Sequence, residues 1–247
     1  MNSLFGRVAL VTGASTGRGR AVAKLYAKEG AYVILTSNTS VDEGNKTLTQ
    51  IEKEGGKAIY ISADLSTQDG VDQLFNKIKK ETGKLDILVN NAGRTYNIPF
   101  DDLSEITFQR DLDVNLKSTF MCSIAAKELM TEGWIINTAS IRGIPEASRP
   151  GIVGYCAAKS AVISITKSMA MQLAPKIYIN AVAPGFVYTN YMNAVTDEMK
   201  NRWLSQIPIN RFIQPEEIAE VYLMLAKTRI FTGSVISPDG GYTLLNR

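Results

Sequence analysis

Short runs rich in Val and Ile alternate with amphipathic stretches from one end of the chain to the other. No other feature restricts the fold as much. The strand-like runs fall at 7–12, 32–36, 57–62, 86–90, 134–138, 178–183 and 234–237. Between them, apolar residues recur at helical spacing over 19–29, 43–54, 68–82, 104–130 and 155–173. Strands that are apolar on both faces need cover on both faces, and parallel neighbours need a crossover between them. The alternation predicts an α/β fold, a doubly wound parallel sheet of about seven strands with helices on both faces. With 247 residues and no linker, repeat or low-complexity stretch, the chain reads as one domain spanning 1–247. In such sheets ligands bind beyond the carboxyl ends of the strands, near the switch in strand order.

Composition narrows the chemistry. Hydrophobic residues make up 45% and charged residues 21%, the balance of a soluble globular protein. A net charge of +3 without a basic run gives no reason to expect nucleic acid, and no apolar stretch reaches membrane-spanning length. The N-terminus runs almost directly into a strand, so a cytoplasmic protein without a signal peptide is expected. The chain has no histidine. Ser-His-Asp and Cys-His catalysis and His-ligated metals are thereby excluded. Proton transfer falls to Tyr, Lys, Asp, Glu or Cys. The two cysteines, Cys122 and Cys156, lack metal-ligand spacing and read as reduced thiols.

Two groups of residues carry chemistry. Tyr155 and Lys159, four apart on a predicted helix, share one face. A phenol has an ordinary pKa of about 10, and a neighbouring ammonium favours the phenolate. The first strand leads into Thr12-Gly13-Ala14-Ser15-Thr16-Gly17-Arg18-Gly19 and then a helix. Glycines there permit a tight turn and close backbone approach to a pyrophosphate resting on the helix N-terminus, although their spacing departs from G-x-G-x-x-G. The second strand ends in Thr36-Ser37-Asn38-Thr39-Ser40, which holds hydroxyls and an amide but no carboxylate. A carboxylate at that point selects NAD, so its absence, with Arg18 nearby, favours NADP(H) over NAD(H). Asp64-Leu65 follows the third strand, where Asp64 is placed to accept from an adenine amino group. Asn90-Asn91-Ala92-Gly93 follows the fourth.

Together these segments resemble the short-chain dehydrogenases/reductases over nearly the whole chain. The likeness extends to Asn115 in Asp113-Val114-Asn115-Leu116, to Ser140, to Asn180-Ala181-Val182-Ala183-Pro184-Gly185, to Pro215-Glu216-Glu217-Ile218-Ala219 and to Asp239-Gly240-Gly241. The resemblance implies a Rossmann-like NAD(P)-dependent carbonyl reductase or alcohol dehydrogenase. Tyr155 would exchange a proton with the substrate oxygen, and Lys159 would support it and bond the nicotinamide ribose. Ser140 would orient the carbonyl, and Asn115 would hold a water linking Lys159 to solvent. The implied cofactor contacts are Gly13, Ser15, Thr16, Gly17, Arg18, Gly19, Ser37, Asn38, Asp64, Leu65, Asn91, Ala92, Gly93, Tyr155, Lys159, Pro184, Gly185, Val187 and Thr189. Thr189 would bond the carboxamide. No metal is implied.

The chain departs from the family pattern at several points. Arg18 stands where relatives carry an apolar residue, and Thr16 where many NADP-preferring members carry a basic one. The stretch from Ser140 to Tyr155 is longer than usual, and 227–232 is shorter. Arg142 lies nearer the usual Ser-to-Tyr spacing, but Thr138-Ala139-Ser140 at a strand end fits the Ser motif better. Substrate selection is expected from 94–100, 141–154 and 186–209. The last of these contains Tyr188, Tyr191, Met192, Met199 and Trp203, and reads as an apolar lid. The pattern is closest to 3-oxoacyl-[acyl-carrier-protein] reductases. It predicts an NADPH-dependent 3-oxoacyl or related ketone reductase acting on a small-molecule or carrier-bound substrate. Arg142, Arg149 and Lys176 are surface charges available to a carrier protein. A sugar or polyol dehydrogenase is the alternative. A non-catalytic dinucleotide sensor would not need the intact Asn115, Ser140, Tyr155 and Lys159. Family members commonly form homotetramers through helices equivalent to 104–130 and 155–173 and through the C-terminal strand.

Overall fold

The computed structural model describes residues 3–189, 192 and 195–245. Among them the strands are β1 (Val8–Thr12), β2 (Tyr32–Ser37), β3 (Lys57–Ser62), β4 (Ile87–Asn90), β5 (Gly133–Thr138), β6 (Ile177–Val182) and β7 (Val235–Ile236). They form one parallel seven-stranded sheet in the order β3-β2-β1-β4-β5-β6-β7. The order reverses between β1 and β4, so their carboxyl ends open the crevice where ligands of such sheets bind. Side chains alternate along each strand and supply two cores. Val11, Val33, Val89 and Ile136 face one way, under Val22 and Tyr26 of α1 (Gly17–Lys28) and Tyr222 and Leu225 of α8 (Pro215–Lys227). Leu10, Ile34, Leu88 and Ile135 face the other way, under Leu74 and Ile78 of α3 (Gln68–Thr82) and Met121 and Ala126 of α5 (Ser118–Lys127). No described helix is long and apolar enough to cross a membrane.

Strand boundaries differ from the sequence reading by a residue or so. The readings 57–62 and 68–82 coincide with β3 and α3. Arg7 and Asp86 fall outside their strands because they staple the lower edge of the sheet. The Asp86 carboxylate accepts from the Val8 amide at 2.8 Å and pairs with Arg7 and Lys84. Strands buried on both faces were expected throughout, but the edge strand β3 is half exposed, with Lys57 and Ser62 in solvent. α2 (Val41–Lys53) packs on Tyr60 from one face, while Ile59 and Ile61 join the second core on the other. The largest correction is at 104–130. That stretch is not one regular helix but α4 (Glu105–Leu112), a π turn (Asp113–Lys117) and α5. The wide turn falls on Asn115, a common setting for functional sites.

A buried polar ladder fixes α6 (Val153–Leu173) against the sheet. Asn90 Nδ2 donates to Asn137 Oδ1 at 2.9 Å and to Ser123 Oγ at 3.0 Å. Asn137 Nδ2 donates in turn to Thr166 Oγ1 of α6 at 2.9 Å. Asn90, Asn137 and Thr166 are all buried, so each bond lost strands a partner away from water. Replacing Asn137 with Ala is expected to lower unfolding stability by about 1–3 kcal/mol, read by urea denaturation. It should also reduce turnover, because α6 carries Tyr155 and Lys159.

Candidate active site

The glycine loop is held from below by side chains that join β1 to β4. Thr12 Oγ1 accepts from the amides of Asn91 and Ala92, both at 2.9 Å. Asn91 Nδ2 returns bonds to the carbonyls of Thr12 and Gly13 at 3.0 and 3.1 Å. Gly13 has a φ of +63° and no room for a side chain, since a Cβ there would lie 2.9 Å from Ala92 Cα. A Cβ on Gly19 would fall on the Gly13 carbonyl oxygen, so only glycine lets α1 dock this closely. α1 begins at Gly17, earlier than the 19 read from sequence, with Thr16 as an N-cap whose side chain makes no capping bond. Its first turn contains no acidic residue. Unsatisfied amides at a helix N-terminus, without a carboxylate to answer them, make a site for an anion. Ser15 is buried and Thr16 exposed at its rim.

At the end of β2, Ser37 Oγ lies 2.8 Å from Tyr60 Oη, while Asn38 is exposed. The Asp64 carboxylate accepts from the Ser66 amide and hydroxyl, which hold its pKa below the usual range. The Leu65 side chain is buried in the second core, so only its backbone can face a ligand. The charge of Arg18 is felt by Lys159 and Tyr222, where it opposes the lysine's ammonium and favours the phenolate. The cation held at the start of α2 is Arg20, bonded to the Ser15 carbonyl and Thr47 and paired with Glu43 at 2.6 Å.

Ser140, Tyr155, Lys159 and Asn115 converge at the carboxyl ends of β4 and β5. Lys159 is 3% exposed, and its Nζ donates to the Thr138 carbonyl at 2.8 Å. The same Nζ lies 5.7 Å from the centre of the Tyr155 ring. Burial, assisted by the positive charge of Arg18, brings the Lys159 pKa down to about 7. Among the described residues the Tyr155 hydroxyl makes no hydrogen bond, which leaves it available to a substrate oxygen. Ser140 Oγ accepts from the Arg142 amide at 3.1 Å and keeps its own proton to donate. Asn115 is fully buried. Its Oδ1 accepts from the Arg94 amide at 3.0 Å, and its Nδ2 donates to the carbonyls of Arg94 and Asp111 at 2.8 and 3.0 Å. Gly93 is thereby pressed onto the centre, where a Cβ would sit 2.7 Å from Asn115 Oδ1 and 3.4 Å from Lys159 Nζ.

Pro184 to Thr189 closes the far wall. The Pro184 carbonyl accepts from the Ile141 amide at 3.2 Å, and a Cβ on Gly185 would lie 2.7 Å from Asp239 Cα. Val187 is buried and bridges Ile213, and the Thr189 methyl faces Gly17. The expected lid includes α7 (Asp197–Leu204). Phe186 stacks on Trp203 at 5.5 Å, and both pack with Met192, Ile207, Phe212 and Tyr242. Met199 and Tyr188 are exposed, and Tyr191 lies outside the described residues. Arg142 is not the surface charge expected. It turns inward, donates to the Ala147 carbonyl at 2.7 Å and to Tyr242 Oη at 3.0 Å, and lies over the Phe186 ring. Arg149 and Lys176 are exposed, as expected. Both cysteines are free, and burial pushes the Cys122 thiol up to about 12.

Sequence reasoning missed Thr138 as more than a spacer before Ser140. Its hydroxyl lies 2.7 Å from Tyr222 Oη and its carbonyl takes the Lys159 proton donor, so one residue ties α8, β5 and α6 together. Position at the end of a central strand was the available signal.

A family model described as Enoyl-(Acyl carrier protein) reductase matches residues 13–243. The 3-oxoacyl-[acyl-carrier-protein] reductase FabG of Aquifex aeolicus is 36% identical over 245 residues, covering 96% of this chain and 98% of its own. A short-chain dehydrogenase/reductase from Serratia marcescens superposes with a TM-score of 0.92 at 35% identity, covering 98% of this chain and 99% of that one. The chain belongs to the short-chain dehydrogenase/reductase family. It is an NAD(P)-dependent oxidoreductase that works between a nicotinamide cofactor and a carbonyl or alcohol. Another member, the angucycline C-6 ketoreductase LanV with bound NADP, is 33% identical with a TM-score of 0.91, covering 98% of this chain and 97% of that one.

The Lys159 environment is directly testable. A lysine-Nζ NMR titration of the cofactor-free protein should show a midpoint near the value of about 7 that burial imposes. Arg18→Leu removes a like charge, so the ammonium should persist to higher pH and the midpoint should rise. It should stay below that of an ordinary lysine, because burial is the larger cause.

Proposed function

We propose that this single-domain protein is an NADPH-dependent reductase of 3-oxoacyl thioesters or closely related ketones, with Tyr155 as the proton donor. The observation that carries the reading is Lys159 Nζ, buried and fixed by the Thr138 carbonyl 5.7 Å from the Tyr155 ring centre. A bound nicotinamide cofactor supplies the hydride. As a carbonyl oxygen gains charge, Tyr155 gives it a proton and Ser140 Oγ donates a hydrogen bond to it. The Lys159 ammonium stabilises the negative charge left on the Tyr155 oxygen. Both ends of the Asn115 amide hold the 93–94 turn, so a water relay from Lys159 to solvent would pass its main chain.

The crevice fits a dinucleotide on its own features. α1 offers an uncapped N-terminus, and a Cβ at Gly13 or Gly93 would intrude on the floor. Gly17 is open except for Thr189, and Asn91 Oδ1 is a buried acceptor without a partner. Gly13, Ser15, Thr16, Gly17, Arg18 and Gly19 would hold the phosphates, and Asn91, Ala92 and Gly93 the floor. Lys159, Pro184, Gly185, Val187 and Thr189 would hold the nicotinamide end. Ser37, Asn38, Asp64 and the Leu65 backbone would hold the adenosine. NADP(H) over NAD(H) is supported by the lack of a carboxylate at 37–40 and by the NADP bound to LanV.

The 3-oxoacyl assignment is supported by the name and 36% identity of the Aquifex relative and by the aromatic lid. A cytoplasmic setting agrees with two free cysteines. A homotetramer is supported by apolar side chains left in solvent, Phe120 and Ile124 on α5 and Met171 on α6. Ile124→Asp should lower the molecular mass measured by light scattering. A mass that stays that of a monomer in the wild type would end the tetramer reading.

Tyr155→Phe removes one hydroxyl and little volume. It should cut kcat for acetoacetyl thioester reduction by ~10²–10⁴-fold while NADPH affinity stays as it was. Undiminished turnover would dismiss Tyr155 as the donor.

A further inference from the structure

Two guanidinium groups meet over one ring beside the catalytic centre. Arg94 Cζ lies 5.2 Å from the centre of the Tyr96 ring, and Arg110 Cζ, from α4, lies 3.7 Å from the same point. Both arginines are exposed, and Tyr96 is half-buried. Among the described residues neither guanidinium makes an ion pair. Of the acidic residues of α4 and the π turn, Asp111 feels one of them: burial raises its pKa, and the charge of Arg110 lowers it by less. Asp113 is taken by Gln109 and by Lys117, and Asp111 is 1% exposed with its carboxyl turned against Gly154. Glu105 has no ion pair among the described residues. An exposed arginine is ordinary by itself. Two that converge on one ring, neither held in an ion pair among the described residues, present their donors in a geometry suited to oxyanions.

The location ties this pair to the reaction. Arg94 follows Gly93, whose missing side chain would touch Lys159 Nζ, and its backbone is fixed on both sides by Asn115. Farther along the same loop the Ile98 amide donates to the Gly151 carbonyl at 2.7 Å, just before the helix that carries Tyr155. The loop 94–98 therefore spans from the centre to the rim of the site. Arg94 stands at the start of this loop, and Arg110 of α4 meets it over Tyr96.

We propose that Arg94 and Arg110, braced by Tyr96, form a clamp that selects ketone substrates bearing a phosphate group beyond the carbonyl, as a phosphopantetheine thioester does. The substrate class rests on the ketone-reductase reading above, whereas the clamp as an anion site does not. Two guanidiniums suit a phosphate because together they can answer several of its oxygens at once.

The test compares acetoacetyl-4′-phosphopantetheine with acetoacetyl-pantetheine, which differ by that phosphate alone. Wild type should favour the phosphorylated thioester by about tenfold in kcat/KM, and the preference should shrink as salt is raised. Arg94→Gln with Arg110→Gln should erase the preference and leave the rate on acetoacetyl-pantetheine intact, which also shows that the variant is folded. Equal kcat/KM values in wild type, or a preference that survives the double variant, would overturn the clamp. Calorimetric titration of the protein with 4′-phosphopantetheine and with pantetheine separates the two readings. Selective, arginine-dependent binding without turnover of either thioester would keep the clamp and sink the reductase. Turnover with no selective binding or rate preference would do the reverse.

Discussion

A lysine taken almost wholly out of water is the constraint around which the site is built. Burying an ammonium with a single carbonyl partner is unfavourable, and the group answers by giving up its proton more readily. Lys159 stays buried because its surroundings leave it no alternative. Thr138 offers the carbonyl and is itself held by Tyr222, and Gly143 packs against the Lys159 backbone. Ser160 bonds the Gly143 carbonyl on the outer side, while Asn137 and Thr166 fix the helix one layer deeper. The result is a nitrogen that titrates near neutrality within reach of a phenol, in a chain that has no histidine to do that work.

The same crevice carries a consistent sign of charge. The uncapped start of α1, Arg18 and Lys159 all favour an anion, and no carboxylate answers them within the glycine loop. An anionic dinucleotide would relieve this repulsion and return proton affinity to Lys159. Cofactor binding and acid-base readiness are thus coupled through one field. Arg94 and Arg110 add two further guanidiniums, over the Tyr96 ring, on the loop that follows Gly93 and on α4.

Much of the architecture was legible because strand burial and helix amphipathicity leave periodic marks. The runs 57–62 and 68–82 coincide with β3 and α3, and most other strand ends moved by about a residue. The break inside 104–130 left no such mark, since Asn115 is fixed by Arg94, a residue from another loop. The direction of Arg142 was equally hidden. A long cation goes wherever packing and partners leave room, and its partner Tyr242 is far away in sequence.

The sequence by itself determined a doubly wound sheet, a glycine turn after its first strand and a Tyr155–Lys159 pair on one helical face. These follow from local periodicity and from which side chains can do acid-base chemistry. Only the tertiary structure decided that Lys159 is buried on the Thr138 carbonyl, that it feels the charge of Arg18 and that two arginines share Tyr96. The physical reason is that desolvation and Coulomb energy depend on distances between residues that no local pattern records.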